Sequence, residues 1–190
     1  MNNTSSGTWN YTNDYPVLNT TTGGGTFNNA GVFEKTGGTG TTTVNAGFTN
    51  TGSVLGQTGT VTFANLLGTS SGSWNAASAG ALVLDGGSPT PSLSGNITGA
   101  GSVSFNSGTV NIVAGATFTG NGTLGITGGT VVFETGGSVA VSQALTLNSG
   151  VLAGPDTVTL NGLLTWGSNG YMCTGAACNA SGTGVTNARG

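Results

Sequence analysis

The sequence predicts an all-β fold, a right-handed parallel β-helix (β-solenoid) with about 21 residues and three short strands per coil. Three observations point there. The composition favours strands and turns, apolar residues alternate with the period of a strand, and the alternation returns at a fixed spacing.

Of the 190 residues 38 are Gly and only 4% are charged, with Thr, Ser and Asn crowding the remainder. Disordered chains combine high charge with few β-branched residues. Here the hydrophobic fraction is 35%, and Val, Leu, Ile and Phe are spread through the chain. Gly or Thr interrupts every window of helical length, which excludes long helices.

The alternation appears in GTVTF at 59–63, GALVL at 80–84, GSVSF at 101–105, GTLGI at 122–126 and QALTL at 143–147, each beginning 21 residues after the last. GLLTW at 162–166 follows after 19. A second series links Val110, Val131 and Leu152, with Ile112 and Phe133 beside it. A third links Ile97, Phe118, Val139 and Leu160, with Ala76 one period earlier. Nearer the N-terminus Phe27 pairs with Phe48 and Phe33 with Val54 at the same spacing. Stacked coils place equivalent strands about 4.8 Å apart, so such positions form ladders. Phe63, Leu84, Phe105, Ile126, Leu147 and Trp166 are expected to point inward on one of them. Corners at Asp85-Gly86-Gly87, Asn106-Ser107-Gly108, Thr127-Gly128-Gly129 and Asn148-Ser149-Gly150 suit a left-handed backbone. An antiparallel sandwich also has short strands and Gly-rich turns, but it needs no fixed period.

Three segments follow. Residues 1–25, with Trp9, Tyr11 and Tyr15, are expected as an aromatic-rich cap; 26–172 as the coils; 173–190 as a Cys-containing loop and tail.

Chemistry is scarce. His is absent, which removes the usual general base and the commonest metal ligand. The net charge is −3, with Lys35 and Arg189 the only basic residues, so neither nucleic acid nor an anionic membrane is an expected partner. No apolar run is long enough to span a bilayer. No cofactor or metal site is expected: there is no acidic calcium repeat, and GGTGTTT at 37–43 lacks the Lys of a phosphate loop. Glu134 and Asp156 fall near one corner of adjacent coils, roughly 5–7 Å apart by strand spacing. They are the one candidate for a glycosidase pair, set against two solvated turn carboxylates. Asp14, Glu34 and Asp85 lie elsewhere on the coil. Trp9 and Trp74 are either sugar platforms or core, and the Asn-x-Ser/Thr motifs at Asn10, Asn96 and Asn121 are expected from composition.

The run GGGTFNNAGVFEKTGGTGTTTVNAGFTNTGSVLGQTGTVTF at 23–63 resembles repeats of large bacterial β-strand-repeat surface and secreted proteins, of the filamentous-haemagglutinin-like adhesin or autotransporter-passenger type; GLLTWGSNGYM at 162–172 is similar to another recurrent piece of them. The resemblance implies secretion or a cell-surface location, a rod-like β-helix, and a structural or adhesive role with no catalytic residues. It makes a host or neighbouring cell surface, a glycan, or a second copy the expected partner. In an exported chain Cys173 and Cys178 are expected as a disulfide, a C-x₄-C pair without His being a poor zinc site. An ice-binding solenoid and a carbohydrate-active β-helix enzyme stay open as alternatives.

Overall fold

The computed structural model describes residues 1–17 and 25–173, and the backbone of 185–188. It is an all-β parallel solenoid with about eight coils and close to 21 residues per turn. Every strand pairing is parallel and joins one coil to the next. Each coil visits three faces in order. Coil 2 shows them as Thr26–Asn29, Val32–Lys35 and Thr41–Val44. In coils 3 and 4 the second and third faces run together as the long bent strands Ser53–Leu66 and Ser73–Gly86.

The interior forms as the alternation demands. On the third face Phe63 pairs with Leu84, Phe105 with Ile126 and Ile126 with Leu147, and all five side chains are buried. The first face carries Val110, Val131 and Leu152 in line, with Ile112 on Phe133. Coils 1 to 4 are filled by an aromatic cluster. Phe27 and Phe48 stack at 5.4 Å, Phe33 meets both edge-on, and Phe63 meets Trp74 edge-on at 5.3 Å. Trp74 is therefore core, and its indole N–H has no hydrogen-bond partner there.

The third sequence series is corrected by two residues in two places. Ile97 stands on Trp74, while Ala76 meets Gly99; further up, Phe118 meets Val141, while Val139 pairs with Val158. A slip of two keeps the same face inward, whereas a slip of one would reverse it. The apolar pattern is blind to this choice. Corner glycines follow the true register. A Cβ on Gly52 would lie 2.1 Å from Gly31 O, one on Gly72 2.1 Å from Gly52 O, and one on Gly95 1.9 Å from Gly72 O. Backbone thus stacks on backbone at this corner with no room for a side chain.

Residues expected to cap the stack instead begin it. Asn2–Asn3 pairs with Asn28–Asn29, Thr8–Tyr11 with Val32–Lys35, and Val17 bridges to Val44. The offsets, 24 to 27 residues, hide this coil from a 21-residue search. Trp9 and Tyr11 pack partly against the core, while Tyr15 is exposed. At the other end, Val185–Ala188 pairs with Thr157–Leu160, so the expected tail contains a strand.

Trp166 also departs from expectation. Its backbone is in register on Leu147, but the ring is 56% exposed and its indole N–H donates to Gly170 O at 2.9 Å. Among the described residues, Leu164–Trp166 is the last strand of the third face, paired only with Ala144–Leu147. An inward direction buries a side chain only where a further coil covers it.

Candidate functional site

The two candidate carboxylates have different surroundings. Glu134 ends the Thr130–Glu134 strand and is exposed. Asp156 is buried, and its carboxylate accepts hydrogen bonds from the Thr135 N–H and hydroxyl and from the Gly136 and Gly137 N–H groups. The Thr135–Gly137 turn so forms a nest of donors around an anion carried by the next coil. Its hydrogen bonds hold two coils in register. Asp85 does the same on a smaller scale, accepting from the Asn106 and Ser107 N–H groups at 3.2 and 3.0 Å.

Sequence reasoning missed the most developed polar site. Lys35 alternates inward on its strand and is completely buried. Its ammonium donates to Asp14 Oδ1 at 2.8 Å and to the carbonyls of Asn13, Gly37 and Gly38. Thr42 adds a bond to Asn13 O. A Lys with an apolar stem and a capped charge satisfies a corner that Leu would leave with unpaired carbonyls. Glu34, one residue earlier and outward, accepts from Gln57 Nε2 at 3.0 Å.

The hydrogen bond from Lys35 holds the Asp14 carboxyl below its ordinary pKa of 3.8, helped by the Gly40 N–H and opposed by desolvation. A depressed folded value means that this stabilisation is complete above the ordinary carboxylate range and is lost as pH falls through the folded value. Because Asp14 is partly exposed, solvent screens the pair and the effect is modest. An Asp14→Asn chain is expected to melt lower than the parent at neutral pH, with the gap closing in strong acid. Thermal melts across pH test this, and a gap that widened in acid would contradict it.

A second missed feature is a buried asparagine ladder. Asn3 donates to Asn29 Oδ1 at 2.7 Å and Asn29 donates to Asn50 Oδ1 at 2.9 Å. The same amide groups donate to the carbonyls of Val32, Ser53 and Ser73 on the far side of the corner. The 21-residue step from Asn29 to Asn50 was the available signal.

Surface hollows are shallow. One, about 240 Å³, is lined by Leu55, Gly56, Gln57, Asn75 and Ala77; another, about 320 Å³, lies on the second face around Thr117 and Ser138. Among the described residues there is no cluster of three or more His, Cys, Asp or Glu, and no helix long and apolar enough to cross a membrane. Cys173 N–H donates to Leu152 O at 2.9 Å; Cys178 and Arg189 lie outside the described residues. No family model, curated protein or solved structure matches the chain, so its fold stands without an identified family.

Proposed function

We propose that this chain is a non-enzymatic structural and adhesive module of a bacterial secreted or cell-surface protein, acting as a stiff rod and contact surface. The observation that carries the reading is how the charged side chains are used. Asp14 with Lys35, Glu34 with Gln57, Asp85 with Asn106 and Asp156 with Thr135 each bind 20-odd residues away, coil to coil. Charge here serves registry. Ladders on three faces around one continuous core supply the stiffness.

The test has two arms. Small-angle scattering should give an elongated particle, and the chain should bind cell surfaces while releasing no product from polysaccharides. Turnover abolished by Glu134→Gln or Asp156→Asn would sink the non-enzymatic reading.

One observation favours a second reading, ice binding. Thr41 pairs with Thr60 and Thr43 with Thr62, an outward two-by-two block of Thr on the third face. The array then breaks, since Thr60 meets Ala81 and Thr62 meets Val83, with Gly125 and Leu163 further along. A lattice of hydroxyls needs more rungs than two. The chain is expected to show no thermal hysteresis, and ice shaping at micromolar protein would reverse the choice.

In an exported protein the Cys173–Cys178 pair would close a short loop, with a gain below that of long-range bridges. Non-reduced peptide mapping should find the linked peptide; two free thiols would argue against export through an oxidising compartment.

A further inference from the structure

The second face is interrupted between coils 6 and 7. Thr117–Phe118 and Ser138–Val141 share a single ladder pair, Phe118 on Val141, whereas the next two strands of that face share four. The cause lies in the approach to the face. Val113 pairs with Glu134 but Phe118 with Val141, so coil 7 takes two more residues than coil 6 to reach the shared pair. Ala116 N–H turns back to Val113 O at 3.1 Å within its own coil, while Asp156 holds the Thr135–Gly137 turn of coil 7 in place. The result is a notch of about 320 Å³, at the low end of small-ligand sites.

Its lining is specific in chemistry. The methyls of Ala116 and Ala140 give a small apolar surface, rimmed by the hydroxyls of Thr117, Thr119, Ser138 and Ser142. No ionisable side chain lines it. Thr117 donates to Asn96 Oδ1 at 3.0 Å, which commits its hydroxyl proton and leaves its oxygen lone pairs as oriented acceptors, while the Thr119 hydroxyl lies 3.1 Å from both Asn96 Oδ1 and the Thr98 hydroxyl. No side-chain hydrogen bond engages Ser138 or Ser142 among the described residues, so both can donate or accept. Fixed acceptors beside free hydroxyls around a small apolar patch match a pyranose, which has a C–H face and a rim of hydroxyls.

We propose that this notch binds a neutral oligosaccharide. The inference rests on the contact-surface reading above and gives that surface one defined site. With so few hydrogen bonds exchanged against those of water, the affinity is expected on the order of 1 mM.

The test is amide NMR of the full chain, titrated with a panel of neutral di- and trisaccharides and with uronate-containing ones. A neutral sugar should shift amides of 116–119 and 138–142. Ala140→Leu, which fills the notch from an outward position, should weaken that binding at least tenfold. Ala81→Leu, outward on the third face, should leave it unchanged. The proposal is overturned by no response to any neutral sugar, by a response only to charged ones, or by binding that survives Ala140→Leu. Scattering and cell binding by the same Ala140→Leu chain separate the outcomes: a rod that still binds cells keeps the functional reading while losing the site.

Discussion

Replacing Phe105 by Asp should abolish the middle of the solenoid. Phe105 is 1% exposed and stands in the third-face ladder against Ile126 of coil 6, on a strand that also pairs with coil 4. Losing the buried ring forfeits about 1.5–3 kcal/mol. An ionised carboxylate without a partner adds several more, or the group takes up a proton at a comparable penalty. The sum is on the order of 5 kcal/mol or above, against a typical stability of about 5–15 kcal/mol for a whole domain. In a stack where each coil contacts its neighbours only, the damage falls on both interfaces of coil 5. Urea unfolding and limited proteolysis should show early cleavage near coils 4 to 6. Ser104→Asp, outward on the same strand, is the control and should change stability by roughly 0.5 kcal/mol or less. Equal midpoints for the two variants would refute the inward assignment.

The next largest loss is expected at Asn29, a polar residue that composition alone would place outside. Its side chain is 1% exposed, accepts from Asn3 and donates to Asn50 Oδ1 and Ser53 O. Asn29→Ala leaves those three groups short of a partner in a buried corner. The bonds to Asn3 and Asn50 are buried while Ser53 O is only partly so. At about 1–3 kcal/mol for each of the two groups that water cannot reach, the variant should lose roughly 2–6 kcal/mol. Asn28 offers an internal comparison. It too bridges coils, donating to Asn2 Oδ1 and accepting from the Thr49 hydroxyl, but from the exposed side. Water replaces its partners, so Asn28→Ala should cost well under 1 kcal/mol. Chemical denaturation of both variants decides the matter, and a loss at Asn28 as large as at Asn29 would show that burial is not the cause.

Both results bear on what a rod of this kind needs. Apolar ladders drive the coils together without direction, and a stack held by them alone can slide by two residues with its faces intact. Polar groups with directional bonds do not tolerate that slide. Asn29 with Asn50, Asp85 with the Asn106 turn of the next coil and Asp156 with the Thr135 turn of the preceding one all span close to one coil. They oppose slippage, and the scarcity of other charge keeps the outer faces neutral.

By itself the sequence determined the fold class. Alternation at two residues, repetition at 21 and Gly or Asn at the corners agree on parallel stacked strands, because each is a local requirement of chain geometry. It also identified the inward residues of the third face, where the step holds at 21 from Thr60 through Ala144. The tertiary structure decided the rest. It set Ile97 on Trp74 and Phe118 on Val141, since a two-residue slip leaves the apolar pattern unchanged. It buried Lys35 and Asn29, whose side-chain partners Asp14 and Asn50 lie about one coil away, and gave Asp156 a nest of N–H groups on the neighbouring turn. It left Trp166 exposed because no further third-face strand covers it among the described residues. A strand's own residues fix which way a side chain points; the adjacent coil fixes what it meets there.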